Sequence, residues 1–245
     1  MAHRLATLAS RPWRTTARSL AWALPLLSAL WVLLVPVFLV STNVRLAFDT
    51  PRLYLYGFDR YDVSSRTGLS RAELARVAGD IRAYFHDGRE LLDTRVRLRG
   101  EERPLFNRRE QLHMRDVKAL VQGVGWVQVA AGAYLAAFAA VGLAVGRAAF
   151  AVRLGRLALV GGLGTVALVL VVGLLLLVAF DALFLLFHEL SFANDFWMLD
   201  PSRDYLVALF PQGFWFEATM LVAVATVVEA LALAGVGALA RRRAR

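Results

Sequence analysis

"VGRAAFAVRLGRL", residues 145–157, separates two long apolar runs and carries Arg147, Arg153 and Arg156 without one acidic residue. The run before it extends from Ala119 to Val145. The run after it extends from Leu157 to Phe187, broken only by Asp181. A hydrocarbon core of roughly 30 Å is crossed by about 20 helical residues, so both runs are long enough to span. Arginine collects in the cytoplasmic connections of membrane proteins. The stretch therefore predicts a short inner loop between two antiparallel membrane helices.

The same signal stands at both ends of the chain. Arg4, Arg11, Arg14 and Arg18 precede an apolar run from Leu20 to Val40, and Arg241, Arg242, Arg243 and Arg245 follow one from Phe214 to Ala240. No Asp or Glu lies in these flanks. The first run is longer than the roughly 7–15 apolar residues of a cleaved signal, and no clear small-x-small site follows it, so it reads as an uncleaved span. The expected fold class is an α-helical integral membrane protein: four transmembrane helices with both termini cytoplasmic, and a small mixed α/β extracytoplasmic cap. The expected division is a basic inner terminus (1–19), spans at 20–40, 119–145, 157–187 and 214–240, and an inner loop at 146–156. The outer segments are 41–118 and 188–213, and a second basic inner terminus occupies 241–245.

Composition agrees. The 245-residue chain is 58% hydrophobic, against about 45–50% for soluble domains. It has no cysteine, which excludes disulfides, thiolate metal sites and a cysteine nucleophile. The net charge of +9 belongs mostly to the arginine flanks and is not read as nucleic-acid binding.

The long outer segment carries structure of its own. In "LSRAELARVAGDIRAYFHDG", Ser70 and Glu73 have capping-box spacing, and Leu74, Val77, Ile81 and Tyr84/Phe85 follow at helical intervals. Gly88 is the expected stop. "TRVRLRGEERPLF" predicts a short hairpin, and "RLYLYGF", residues 52–58, is read as another strand. Asn107 and Glu110 form a second N-x-x-E box, from which a helix should run without proline into the second span.

That helix start, "FNRREQLHMRDVK", crowds Glu110, His113, Asp116 and Lys118 into nine residues. Glu110 has a plain role as the third residue of a cap. His113 and Asp116 each lie about one further turn along. His113 is 34 residues from Arg147, and His188 is 32 residues from Arg156. On straight antiparallel helices the two histidines would differ in height by only about 3 Å, near the outer headgroups. Either histidine alone reads equally well as an interfacial residue of no consequence. Of the other two, His86 reads as a helix-end residue and His3 has no assigned role. Asp181, seven residues before His188, either orients a histidine, pairs with an arginine or is a snorkelling acid. Glu229 lies near mid-membrane, where a carboxyl is a functional candidate; a hydrogen bond between helices is its plainer reading.

"FNRREQLHMRDVK" together with "FHELSFANDFWMLDPSRDYLVALFPQGFWFE" resembles the bacterial lipoprotein intramolecular transacylase family, called Lit. The likeness extends to the order of elements: basic start, span, long outer loop, His-Met-x-Asp-Val-Lys, two spans, Phe-His, Asn-Asp-x-Trp, Pro-Gln-Gly-Phe and a last span. It covers most of the chain, and the two histidine-bearing runs are specific only together. The resemblance implies two essential histidines, His113 and His188. Met114, Asp116, Asn194 and Trp197 occupy neighbouring motif positions as substrate-binding or supporting residues. Asp181 is added on position alone, and the role of Glu229 is left open.

The resemblance implies a multi-pass enzyme of the bacterial cytoplasmic membrane, active on the extracytoplasmic face. Its substrate would be a lipoprotein with a diacylglyceryl-cysteine and a free α-amine. The sn-2 acyl chain would move to that amine, giving an N-acyl lyso-lipoprotein by histidine general acid/base catalysis. No cofactor, metal or nucleic acid is expected; membrane lipids are partners, and the oligomeric state is left open. An α-ammonium with pKa about 7.7–8.0 needs a base to free its lone pair, and histidine suits that task. The oxyanion needs a donor, for which a histidine, Asn194 or a backbone amide would serve. Amine and ester share one molecule, so no covalent acyl-enzyme is required. Two other readings fit the same residues: a bis-histidine haem or metal-binding membrane protein, and a non-catalytic membrane partner with an outer cap.

Overall fold

The computed structural model describes residues 13–243, with side chains over 23–242. The expectations on His3, Arg4, Arg11 and Arg245, and on the side chains of Arg14, Arg18 and Arg243, lie outside the described residues. In chain order the elements are α1 (Trp13–Asp49), α2 (Pro51–Arg60), α3 (Val63–Thr67), α4 (Arg71–Tyr84), β1 (Arg95–Leu98) and β2 (Glu101–Pro104). They are followed by α5 (Arg108–Ser191), α6 (Tyr205–Leu209) and α7 (Gln212–Arg243). Among the described residues, three helices are long and apolar enough to cross a membrane: Ala23–Asp49 within α1, all of α5, and Gln212–Arg242 within α7. Their outer faces carry large apolar side chains, such as Val178 at 81% exposure and Leu26 at 74%. Patches of that kind are stable against lipid, not against water.

The 84-residue α5 is one element by hydrogen bonding but leaves helical geometry at Arg147 (φ 44°, ψ −125°). Residues 108–146 form its first arm and residues 148–191 its second. They fold back on one another, since Phe150 packs on Phe138 and His188 meets His113. A separate loop over 146–156 is thus not what the chain builds: the break is confined to Arg147, with helix on both sides. The reason is local. A Cβ at Gly142 would lie 2.0 Å from the Phe150 ring, so only glycine lets that ring tuck under the reversal. The second arm also breaks at Ala179 (φ −134°, ψ 35°), nine residues before His188.

The remaining helices close on this hairpin through small residues. A Cβ at Gly162 would lie 2.5 Å from the Ala230 carbonyl, and one at Gly237 would lie 2.5 Å from the Gly155 carbonyl. Backbones in such close contact gain dispersion energy that lipid does not supply. On the other side, Trp31 and Val35 of α1 pack against Ala158, and the Trp31 indole donates to the Leu135 carbonyl at 3.2 Å.

Residues 51–106 and α6 pack together around an apolar cluster that includes Tyr54, Phe58, Leu74, Val77, Ile81 and Tyr84. The stretch 52–58 is helix, not strand. Pro51 sits at the start of α2, where its missing N–H is harmless. The residues it buries are Tyr54, Gly57 and Phe58, a helical spacing that the alternating large side chains disguise. The α4 helix ends at Tyr84, four residues before Gly88. Its start is half a capping box: the Ser70 hydroxyl accepts from the Glu73 N–H at 3.2 Å, while the Glu73 carboxylate pairs with Arg76 instead. The predicted hairpin is present, antiparallel with Leu98 opposite Glu101. Its two-residue turn is Arg99–Gly100, both with positive φ.

Candidate functional site

The start of α5 is capped as its sequence predicts. The Asn107 side-chain oxygen accepts from the Glu110 N–H at 3.1 Å, and Glu110 Oε2 accepts from the Asn107 N–H at 2.7 Å. Glu110 has a second task. Its Oε1 accepts from the Leu206 N–H at 2.7 Å, and the side chain is 1% exposed. The Asn107 amide also donates to Asp204 Oδ1 at 2.7 Å. The first turn of α5 is therefore a latch that holds the segment leading into α6.

One turn further along, His113 is buried and faces His188 from the far end of the second arm. The ring centroids are 6.1 Å apart with the planes tilted 32°. The two histidines expected at similar height are thus neighbours, although the turn lies at Arg147. His188 Nδ1 lies 2.7 Å from the Phe184 carbonyl. A carbonyl only accepts, so Nδ1 carries the hydrogen and the lone pair of neutral His188 is on Nε2. Neither ring nitrogen of His113 has a hydrogen-bond partner among the described residues.

Aromatic rings enclose the pair. Phe184, Phe187, Phe192 and Trp197 lie 4.4, 5.3, 5.7 and 5.2 Å from the His188 ring. Phe192 also meets His113 edge-on at 5.1 Å. Reading the sequence missed the three phenylalanines. For two of them the signal was available: Phe184 and Phe192 stand four residues before and after His188, a helical spacing. Trp197, one of the expected residues, lies against the His188 ring.

The other expected residues have different partners. Met114 is buried in the apolar cluster that holds Tyr54, Phe58 and Tyr84. Asp116 makes no hydrogen bond to His113; its Oδ2 accepts from the Asn194 amide at 2.8 Å, and its other oxygen lies 3.5 Å from Arg115. Asp181 accepts from the Gln212 amide at 2.8 Å and does not orient His188. Lys118 Nζ donates to the Asp87 and Arg89 carbonyls, both at 2.8 Å, lies 3.5 Å from the Asp87 carboxylate and sits over the Tyr84 ring. Glu229 accepts from the Asn43 amide at 2.8 Å, and the same amide reaches the Thr226 hydroxyl. Its hydrogen bond between α1 and α7 is the plainer of its two readings. His86 adjoins Asp49, tying the end of α4 to the end of α1.

A family model described as lipoprotein intramolecular transacylase Lit matches residues 29–215, more than half of the chain and both histidines. The chain belongs to the Lit family. Among solved structures, the membrane-integral lipoprotein intramolecular transacylase Lit from Bacillus cereus is similar. It has a TM-score of 0.75 at 17% identity, over 89% of this chain and 96% of that one. A variant of the same Lit protein with a histidine replaced by arginine gives 0.73 at 17% identity, over 94% and 97% of the two chains. Another with a histidine replaced by alanine gives 0.73 at 16%, over 93% and 98%. At this identity the likeness is one of fold. No curated protein sequence matches. Family membership makes this chain a membrane acyltransferase of the lipoprotein transacylase type, and the helical fold with its small two-stranded sheet agrees with that assignment.

Proposed function

We propose that the chain crosses the bacterial cytoplasmic membrane four times, the two arms of α5 counting separately, with both termini inside and the cap outside. At the cap–membrane boundary it moves the sn-2 acyl chain of a diacylglyceryl-cysteine lipoprotein to that lipoprotein's own α-amine. The observation that carries this reading is the pairing of His113 and His188 from opposite ends of α5.

In this reading His188 is the base. Its Nδ1–H bond to the Phe184 carbonyl fixes the tautomer and leaves the Nε2 lone pair to take a proton. His113, buried and with no hydrogen-bond partner among the described residues, offers an N–H to the oxyanion. The α-ammonium loses one proton through His188 to solvent. The freed amine attacks the sn-2 ester carbon, and a second proton leaves nitrogen as the tetrahedral intermediate collapses. The carbon–oxygen bond to the glyceryl sn-2 position breaks, and that oxygen takes the proton from His188. The products are an amide and a free sn-2 hydroxyl, with one proton released. Amine and ester belong to one molecule, so binding only has to restrict their encounter.

The test is mass spectrometry of lipoprotein N-termini from cells that make diacylglyceryl lipoprotein, with and without this chain. An N-acyl lyso form that arises only with the chain is the expected result. An unchanged diacylglyceryl form, with the chain folded in the membrane, refutes the reading.

A further inference from the structure

The segment between α5 and α6 runs directly over the histidine pair, and one residue shapes it. Phe192 begins the crossing with its ring against both imidazoles, and Trp197 ends it with its indole against His188. Asn194 lies between them and is engaged at both ends of its amide. Its Oδ1 accepts from the Phe196 N–H at 3.0 Å, which folds the strap into a turn. Its Nδ2 donates to Asp116 Oδ2 at 2.8 Å, which pins that turn to the first arm of α5 three residues past His113. Arg109 adds a second tie, from its guanidinium to the Asp195 carbonyl.

We propose that Asp116 and Asn194 are a positioning pair: their hydrogen bond fixes the strap so that Phe192 and Trp197 hold the two imidazoles in their working geometry. Asp116 therefore acts on the strap and not on the His113 ring. The proposal rests on the transacylase reading for its kinetic consequence, but its geometric content stands apart. The chemistry of the pair is directional. Asn194 donates and Asp116 accepts, so exchanging the two residues preserves one donor facing one acceptor. Aspartate at 194 still offers an oxygen to the Phe196 N–H. Aspartate at 194 opposite an unchanged Asp116 puts two carboxylates face to face, which repels the strap.

The experiment compares purified wild type, Asp116→Asn, Asn194→Asp and the exchanged double variant. Each is read by acyl transfer on a diacylglyceryl lipopeptide, by melting temperature and by hydrogen exchange of the amides at 194–199. Asn194→Asp should lower kcat by about tenfold or more, as loss of a charge-assisted hydrogen bond does. KM and melting temperature should change little, and the strap amides should exchange faster. The double variant should recover both kcat and protection to within about threefold, since a donor and an acceptor face each other again. A double variant no better than Asn194→Asp on both readouts overturns the proposal. So does an Asp116→Asn variant that is inactive while its strap remains protected, since Asp116 would then act directly on His113. Wild type without acyl transfer would instead defeat the transacylase reading, and hydrogen exchange would still decide the pairing.

Discussion

Replacing Glu110 separates a structural carboxylate from a catalytic one, and the structure sets the size of the effect. Its two oxygens each take one N–H, from the exposed Asn107 and from the buried Leu206, both at 2.7 Å. Alanine removes both acceptors. The orphaned Leu206 N–H costs about 1–3 kcal/mol and the lost half of the cap at Asn107 about 0.5–2 kcal/mol, so Glu110→Ala should lose about 1.5–5 kcal/mol. Glutamine satisfies a simple capping box, but it has a single acceptor oxygen. Its NH2 would face the second N–H, donor against donor, so Glu110→Gln should lose about 1–3 kcal/mol. The assay is thermal unfolding in detergent beside kcat measured on the folded fraction. Melting temperature should fall in the order wild type, Gln, Ala, with kcat within a few-fold throughout. A Glu110→Gln protein that melts like wild type but turns over about 10²–10⁴-fold more slowly would make Glu110 a proton carrier and refute the latch.

Reporter fusions near Gly100 should read outside, and those at Arg147 and after the last residue inside; an outside reading at Arg147 would break the hairpin arrangement. Gly162→Leu would drive a side chain into the Ala230 carbonyl and Ala234, and overpacking of that kind should cost about 1–3 kcal/mol in an unfolding titration. Burial raises the Asp87 carboxyl, but hydrogen bonds from Arg89 and the charges of Arg89 and Lys118 outweigh it and hold the group below its usual value. Its contribution is therefore complete above the unfolded pKa of about 3.9 and is lost as pH falls through the lower folded value. Hydrogen exchange at 85–94 should stay slow through mild acid and quicken only below that value; loosening near pH 6 would contradict the assignment.

The helices were legible because the hydrocarbon core imposes length and apolarity on any helix that crosses it. The pairing of His113 with His188 was legible for the same reason, since a fold-back places residues by counting. The position of the turn was not. Arg153 and Arg156 suggest a loop, while Gly142 and Phe150 allow the reversal to close at Arg147. Residues 52–58 were misread because large side chains alternate there, and the deciding signal was Pro51 one residue earlier. Partners were legible only within a few residues. The Asn107–Glu110 box could be read locally, but its links to Asp204 and Leu206 span nearly a hundred residues. Asp116 sits at a spacing that suggests His113, yet its carboxylate meets Asn194 from the far end of the hairpin. Periodicity says which face a residue shares, not which neighbour from another segment reaches it first.

The most direct test is single-turnover acyl transfer on a synthetic diacylglyceryl lipopeptide by purified wild type, His113→Ala and His188→Ala, followed by mass spectrometry of the amide product. Both variants should fold and bind lipopeptide yet transfer about 10²–10⁴-fold more slowly, with His188→Ala partly rescued by added imidazole. Transfer at near wild-type rates by both variants would contradict the account.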